Sequence, residues 1–522
     1  MITESCRKAD YTMRRILTLV GLIMLAYGCS AGGRGNVRLP VVAGKFYSDD
    51  PARLRLAITR FMDDAVKTTI GKPIAIVVPH AGYVYSGQIM ADGYKQAAGH
   101  NYDVVVILGT NHTTPDLRSV SVYEKGAFQT PLGLAEVDED ITAKLLSKDS
   151  LFTVRPDAHS REHSVEVQVP FIQYLFPRAR IVPLVVGRSD LATCEILGKT
   201  LAGVLKEKNA LIVASSDLSH YPEYDDAEFV DHATLEAAAS MNPELLAMTV
   251  RRQMSESTPG LSTCACGEGP ILTAMIAANE LGAGHGVVVS YANSGDAPVG
   301  EYDRVVGYGA VVYAQGSVSP ADIAALRSSA ETVTTDGGAA SINSVDRKKL
   351  LDLARKTIEW YLTSDVTPLP RDFDPSARVK QGAFVTLKEH GQLRGCIGHM
   401  AEDMPLCRTV GGMALAAAFE DHRFSPVTAS EVNDLEIEIS ALTPFTKIPG
   451  PDQIVLGRDG VVIRKDGRSA VFLPQVATEQ GWTRDEMLDH LCRKAGLPEG
   501  SWRKNADLFT FEAIVFSESK HE

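Results

Sequence analysis

Five segments of the chain are apolar runs without alternation: 74–79 (IAIVVP), 103–109 (DVVVILG), 180–186 (RIVPLVV), 210–215 (ALIVAS) and 287–291 (VVVSY). A strand covered on one face alternates apolar with polar residues, whereas an unbroken run has both faces covered, as in a parallel sheet between helical layers. Helical patterns fall between the runs, around 162–175 and 269–281, the latter ending at Gly282. Asp50-Pro51 supplies an N-cap and a first-turn proline for an earlier helix with Leu54, Ile58 and Phe61 on one face. Residues 38–315 therefore read as an α/β domain with a central, largely parallel sheet.

A chain of 522 residues exceeds one ordinary core. Residues 316–345 are rich in Ser, Thr, Ala and Gly, a linker composition with one short helix expected near 320–330. Residues 346–520 form a smaller α+β domain. Its first helix, over 345–362, sets Leu350, Leu353, Ile358 and Tyr361 near one face. Leu435, Ile437 and Ile439 alternate with polar residues as in a half-buried strand. Residues 461–474 read as a hairpin about Asp466-Gly467, a type I′ sequence, and Thr483 with Glu486 forms a capping box.

The N-terminus is of another kind. Met13-Arg14-Arg15 begins a positive segment, Ile16 to Leu25 is a short apolar stretch, and Leu25-Ala26-Tyr27-Gly28-Cys29 has the form of a lipoprotein cleavage box. The expectation is a signal peptide over 1–29, lipidation at Cys29, a tether over 30–37 and an extracytoplasmic protein touching membrane only through that anchor. Without processing, the protein would be cytoplasmic. A net charge of −13 and the lack of a basic stripe argue against nucleic acid. Neither G-x-x-x-x-G-K-[ST] nor G-x-G-x-x-G opens a helix, so no nucleotide site is expected. The remaining cysteines are sparse, and only Cys264-Ala265-Cys266 is close-spaced, as open cleft residues or as a disulfide in an exported chain.

The chemistry gathers where strands end. The 74–79 run leads to His80 and Tyr83, the 103–109 run to Thr110-Asn111-His112, and the 210–215 run to Asp217 and His220. Parallel strands deliver their carboxyl ends to one edge, where ligands bind. The three histidines and Asp217 are therefore expected in one cleft, as a shared metal or proton-transfer site, with Cys264 and Cys266 closing it. Imidazole and thiolate suit iron, copper or zinc, and three protein ligands with an open position mark a catalytic site. Glu162-His163-Ser164-x-Glu166 adds polar groups to a helix start, either for this cleft or as a cap with a solvated face. In the second domain, Leu393-Arg394-Gly395-Cys396-Ile397-Gly398 reads as a tight turn around a small buried cysteine. A nucleophilic Cys396 with Arg394 and His422 is the alternative.

The motifs VVAGKFYSDDP, PHAGYVYSG, GTNH, EHSVEVQVPF, SSDLSHY, CGEGP and SYANSGD, in this order, resemble the Memo family (AmmeMemoRadiSam system protein B). That family is similar to class III extradiol ring-cleaving dioxygenases. The resemblance implies one mononuclear metal, iron first and copper or zinc as alternatives, held by His80, His112 and Cys266. It places His220 as general acid/base with Asp217 beside it, and Cys266 stands where the dioxygenases carry a glutamate. RGCIG, FEDHRFSPV, EIEIS and FLPQVATEQGW resemble the AMMECR family (AmmeMemoRadiSam system protein A). The pairing implies a radical S-adenosylmethionine (radical SAM) enzyme as partner.

Three functions follow as expectations. The first is a dioxygenase-like oxidoreductase acting on a small molecule or an aromatic side chain, with Tyr83 orienting the substrate. The second is a metal-binding or redox accessory protein, and the third a zinc-dependent hydrolase.

Overall fold

The structure, a computed structural model, describes residues 36–66, 70–187, 190–316 and 342–518. The five apolar runs become strands of one eight-stranded sheet. In chain order its strands are β1 (Pro73–Val78), β2 (Val104–Thr110), β3 (Val120–Val122), β4 (Phe152–Thr153), β5 (Arg180–Val186), β6 (Ala210–Ser215), β7 (His285–Asn293) and β8 (Gly307–Ala314). They lie in the order β7-β8-β1-β6-β2-β5-β3-β4. The four central strands, β1, β6, β2 and β5, are mutually parallel, and β8 and β3 flank them antiparallel.

The lack of alternation has a direct cause. Ile76, Val78, Val105, Ile107 and Val213 enter one core, and Ala75, Val77, Val106, Leu108 and Ile212 enter another on the opposite face. The first core includes Leu54, Ile58 and Phe61 of the helix Pro51–Asp64, whose N-cap Asp50 accepts from the amides of Ala52 and Arg53. The second packs on the helix Glu268–Glu280, which carries Ile271, Leu272 and Met275.

The second domain is built from two antiparallel four-stranded sheets. The helices Ser344–Ser364 and Leu406–Phe419 share a core with the first of these. Leu435–Leu442 alternates buried and half-buried residues as its sequence predicts. Asp466 and Gly467 both take positive φ, 51° and 71°, between the strands Gly460–Lys465 and Arg468–Phe472. Thr483 and Glu486 cap the helix Arg484–Lys494 reciprocally.

Several expectations change. The helix expected over 162–175 is two pieces, His163–Glu166 and Val169–Leu175, because Pro170 lacks an N–H and opens a new first turn. Strand β8 escapes sequence reading because its glycines dilute the apolar signal. The RGCIG segment is no tight turn. It runs within the strand Gln392–His399, with Cys396 opposite Thr386. Gly395 is required there because an added Cβ would lie 2.2 Å from the carbonyl oxygen of Ala417 on the helix above. Tyr361 is outside the core, against Phe419. The signal segment, Cys29, most of the tether and the helix near 320–330 lie outside the described residues. Among the described residues no helix is long and apolar enough to cross a membrane.

Candidate metal centre at the carboxyl edge of the sheet

Strand β1 ends by turning His80 inward, where it is buried. Its backbone N–H donates to Asp217 Oδ1 at 2.7 Å, and its Nδ1 lies 3.1 Å from Ser215 Oγ at the end of β6. Ser215 Oγ donates its one proton to the carbonyl of Ser164, 2.7 Å away, and accepts from Gln168 Nε2 at 2.9 Å. The orientation of Gln168 is fixed, since the same nitrogen donates to Pro79 O. Ser215 therefore has only acceptor capacity left for the ring, so His80 carries its proton on Nδ1. Nε2 is left with a bare lone pair, the form in which imidazole binds metal. Burial, followed by the neighbouring His112, lowers the His80 pKa to about 3, so the ring is neutral near pH 7.

His112 follows β2, and the same logic fixes it. Its Nδ1 lies 2.9 Å from Glu162 Oε1 and its backbone N–H donates to Glu162 Oε2 at 2.7 Å. Nδ1 is thus the donor and Nε2 is free. Glu162 is buried, and it also caps Ser164 N at 3.0 Å and lies 3.5 Å from His163 Nδ1. Burial alone would raise its pKa. The hydrogen bonds from His112 and Ser164 outweigh that and hold the carboxyl at about 2. Of the two readings of this motif the cap stands, and the solvated face does not. Glu166 is buried as well, gripped by Arg38, Tyr47 and the amides of Val41 and Val42.

His163 joins the site, as one of the two readings of its motif allows. Its ring stacks on His112 at 4.5 Å and stands edge-on to His80 at 5.4 Å. His80, His112 and His163 each bring a ligand atom within 4.8 Å of the others, and so do His80, Asp217 and Cys266. His80 belongs to both groups. Its Nε2 is 3.3 Å from Cys266 Sγ and 3.8 Å from Asp217 Oδ2. Burial, then Asp217, raises the Cys266 pKa, so a cation bound here must displace the thiol proton. Cys266 reaches the strand ends because Gly267 follows it. A Cβ there would lie 2.6 Å from Ser216 and 2.7 Å from Thr110. Cys264 and Cys266 are both free, and Cys264 is in the core, so no disulfide joins them.

His220 presents a buried Nε2 without a hydrogen-bond partner. Asp217 is spent on His80, and burial raises its pKa. Tyr83 is displaced from its expected task. Its ring packs with Phe61 and Phe171 in the core and its hydroxyl donates to Val167 O at 2.8 Å, leaving no donor for a substrate.

In the second domain, Asp421 and Arg423 both bond the Cys396 backbone, which brings the His422 segment beside that cysteine. Arg394 pairs with Glu431 at 2.9 Å and binds Ser425 O. Cys396 accepts from Thr386 Oγ1 at 3.3 Å and His422 is exposed. Arg423, rather than Arg394, reaches the Cys396 carbonyl, while clasping Asp421.

Imidazoles in one group of donors, and an imidazole, a thiol and a carboxylate in the other, with His80 common to both, suit a soft or borderline divalent metal. Glu162→Gln is expected to lower Fe(II) affinity ten- to a hundredfold, about what loss of a ligand-orienting carboxylate costs, in an anaerobic titration. Acid should unfold this domain by the same groups. His80, at about 3, and His163, lowered to about 4 by burial, are neutral when folded and protonate near 6.5 when unfolded. Their stability contribution is full above about pH 6.5 and is lost as pH falls through those folded values. The metal-free protein's melting temperature should fall across that window, less steeply in His163→Gln.

Both halves of the chain match known families. The profile of the Memo-like protein family matches residues 38–312, and that of AMMECR1 matches residues 351–516. A MEMO1 family protein of Methanopyrus kandleri is 35% identical over 291 residues, 53% of this chain and 99% of that protein. One from Aquifex aeolicus is 38% identical over 281 residues, with 53% and 99% covered. Among solved structures, an uncharacterized protein from Pyrococcus horikoshii shares 37% identity over 34% of this chain and 94% of its own, with a TM-score of 0.31.

Proposed function

The chain belongs to the Memo-like protein family, with an AMMECR1 unit in tandem behind it, and from that premise we propose a metal-dependent oxidoreductase of dioxygenase type. The observation that carries this reading is the tautomer of His80 and His112, each with Nδ1–H tied down and Nε2 unprotonated, that of His80 facing the Cys266 thiol. In this proposal His80, His112 and Cys266 hold one iron(II); His112 and Cys266 each share a donor group with His80, the first with His163 and the second with Asp217. Bound iron would supply dioxygen activation. The chain's own residues supply the rest: Glu162 and Ser215 orient ligands, and His220, with an unsatisfied nitrogen beside the site, moves a proton. The substrate in this reading is a small or side-chain aromatic. A radical SAM partner rests on the tandem pairing alone, and co-purification from the native host tests it.

Anaerobically purified protein is expected to contain iron and to consume oxygen with a catechol probe. His220→Ala should keep the iron and lose the uptake. Iron without uptake, in the wild type, overturns the enzyme reading in favour of a metal-binding accessory, which the thiol at Cys266 also favours because thiolate ligands are themselves oxidisable. Zinc with hydrolytic turnover would support the hydrolase instead.

We also propose lipidation at Cys29. Cys29→Ser is expected to move the protein from the membrane fraction to the soluble one, and unchanged fractionation refutes the anchor.

A further inference from the structure

Arg408 connects the second domain to the backbone that holds His220. It is a buried arginine on the helix Leu406–Phe419, 6% exposed. Its Nε donates to Gly295 O at 2.6 Å, its Nη2 donates to Gly300 O, and its guanidinium lies over the Tyr302 ring. The gripped segment, 294–306, is tied to the helix Tyr224–Ala239 and to the end of β7. Tyr302 stacks on Tyr224 at 4.2 Å, and Tyr224 donates to Asp296 Oδ1 at 2.6 Å. Asp296 in turn accepts from Asn293 N at 2.8 Å. Pro298 sits over Gly411 of the same helix, where an added Cβ would come within 3.1 Å of the proline ring.

The far end of this segment is stitched to the histidine loop. Tyr221 N donates to Val305 O at 2.7 Å, Gly307 N to Ser219 O at 2.8 Å and Leu218 N to Gly307 O at 2.8 Å. On its other side His220 N donates to Thr263 O at 3.1 Å, and Cys266 N donates to Asp217 O at 3.2 Å. His220 is thus held between the cysteine loop and a segment clamped by the other domain.

We propose that Arg408 is a positioning residue, through which the second domain sets the placement of His220 at the metal centre. The two units then complete one site rather than carrying two. The role of His220 rests on the function proposed above, but its placement does not, and the test separates them.

Full-length Arg408→Ala, Arg408→Gln and Arg408→Lys proteins are compared with wild type by amide hydrogen exchange, Fe(II) content and oxygen uptake. The Leu218, Tyr221 and Gly307 amides are expected to exchange about tenfold faster in the Ala and Gln variants, with β1 unchanged, as in local opening. Lys, which keeps the charge and one donor, should restore part of the protection. Iron content should hold while any oxygen uptake falls. Wild-type protection at 218–221 alongside a loosened 294–302 segment overturns the proposal, as does a uniform rise across the whole first domain. Should the Ala variant not fold, exchange in the Gln variant decides between the same outcomes. Absence of oxygen uptake in the wild type defeats the dioxygenase reading and leaves the exchange result to decide this one.

Discussion

His80→Ala is expected to lose metal more completely than any other single variant, by more than about 100-fold in affinity, beyond the range of a supporting residue. The reason is arithmetic of position. His80 is the one residue common to the imidazole group and to the Asp217–Cys266 group, so its loss leaves neither with three donors. His112→Ala and Cys266→Ser each remove a donor from one group only, and His163→Ala spares both Nδ1-anchored imidazoles. Anaerobic Fe(II) or Zn(II) titration of the four variants should therefore rank His80→Ala lowest. Unchanged metal content in His80→Ala would refute the centre outright.

The largest stability effect is expected away from the site. Arg371 of the second domain makes a two-pronged ion pair with Asp92 of the first, at 3.1 and 2.5 Å, and the Asp92 side chain is wholly buried. Replacing Arg371 by Met strands a buried carboxylate, at a cost of about 3–5 kcal/mol. Asp92 still accepts from Val66 N at 3.0 Å, which offsets little of a full charge. Denaturant unfolding followed at Trp360, which lies edge-on to Phe61 across the same interface, reads the change. Adding Asp92→Asn to Arg371→Met should recover much of the loss, because the stranded charge goes with it. Equal losses in the single and double variants would show that packing, not charge, holds the domains together.

Much of this was legible in the sequence, for physical reasons that differ by element. The central strands were readable because burial on both faces leaves no polar residue to interrupt them, as in β2, where every residue is buried. Once those strands are parallel, the meeting of His80, His112, Asp217 and His220 follows from direction alone. Asp50, Asp466-Gly467 and Thr483–Glu486 were readable because caps and tight turns are local chemistry. What escaped depends on distant partners. His163 and Glu162 look like an ordinary helix start, and only the position of His112, 50 residues away, makes Glu162 a shared anchor. The available signal was a carboxylate directly before a histidine, Glu162-His163. Tyr83 escaped the other way: adjacency to His80 suggested a site residue, but the helix Tyr83–Ala97 turns its ring into the core.

Ser215 gives the centre a built-in polarity. Its single hydroxyl proton is committed to Ser164, so a directed chain runs from the Gln168 amide through the serine and fixes which face of His80 looks outward. The cradle is thereby imprinted by the sheet before any ion arrives. Which ion such a cradle would hold is left to the donors' affinities and to what the compartment offers, and loading would ask little refolding of the protein.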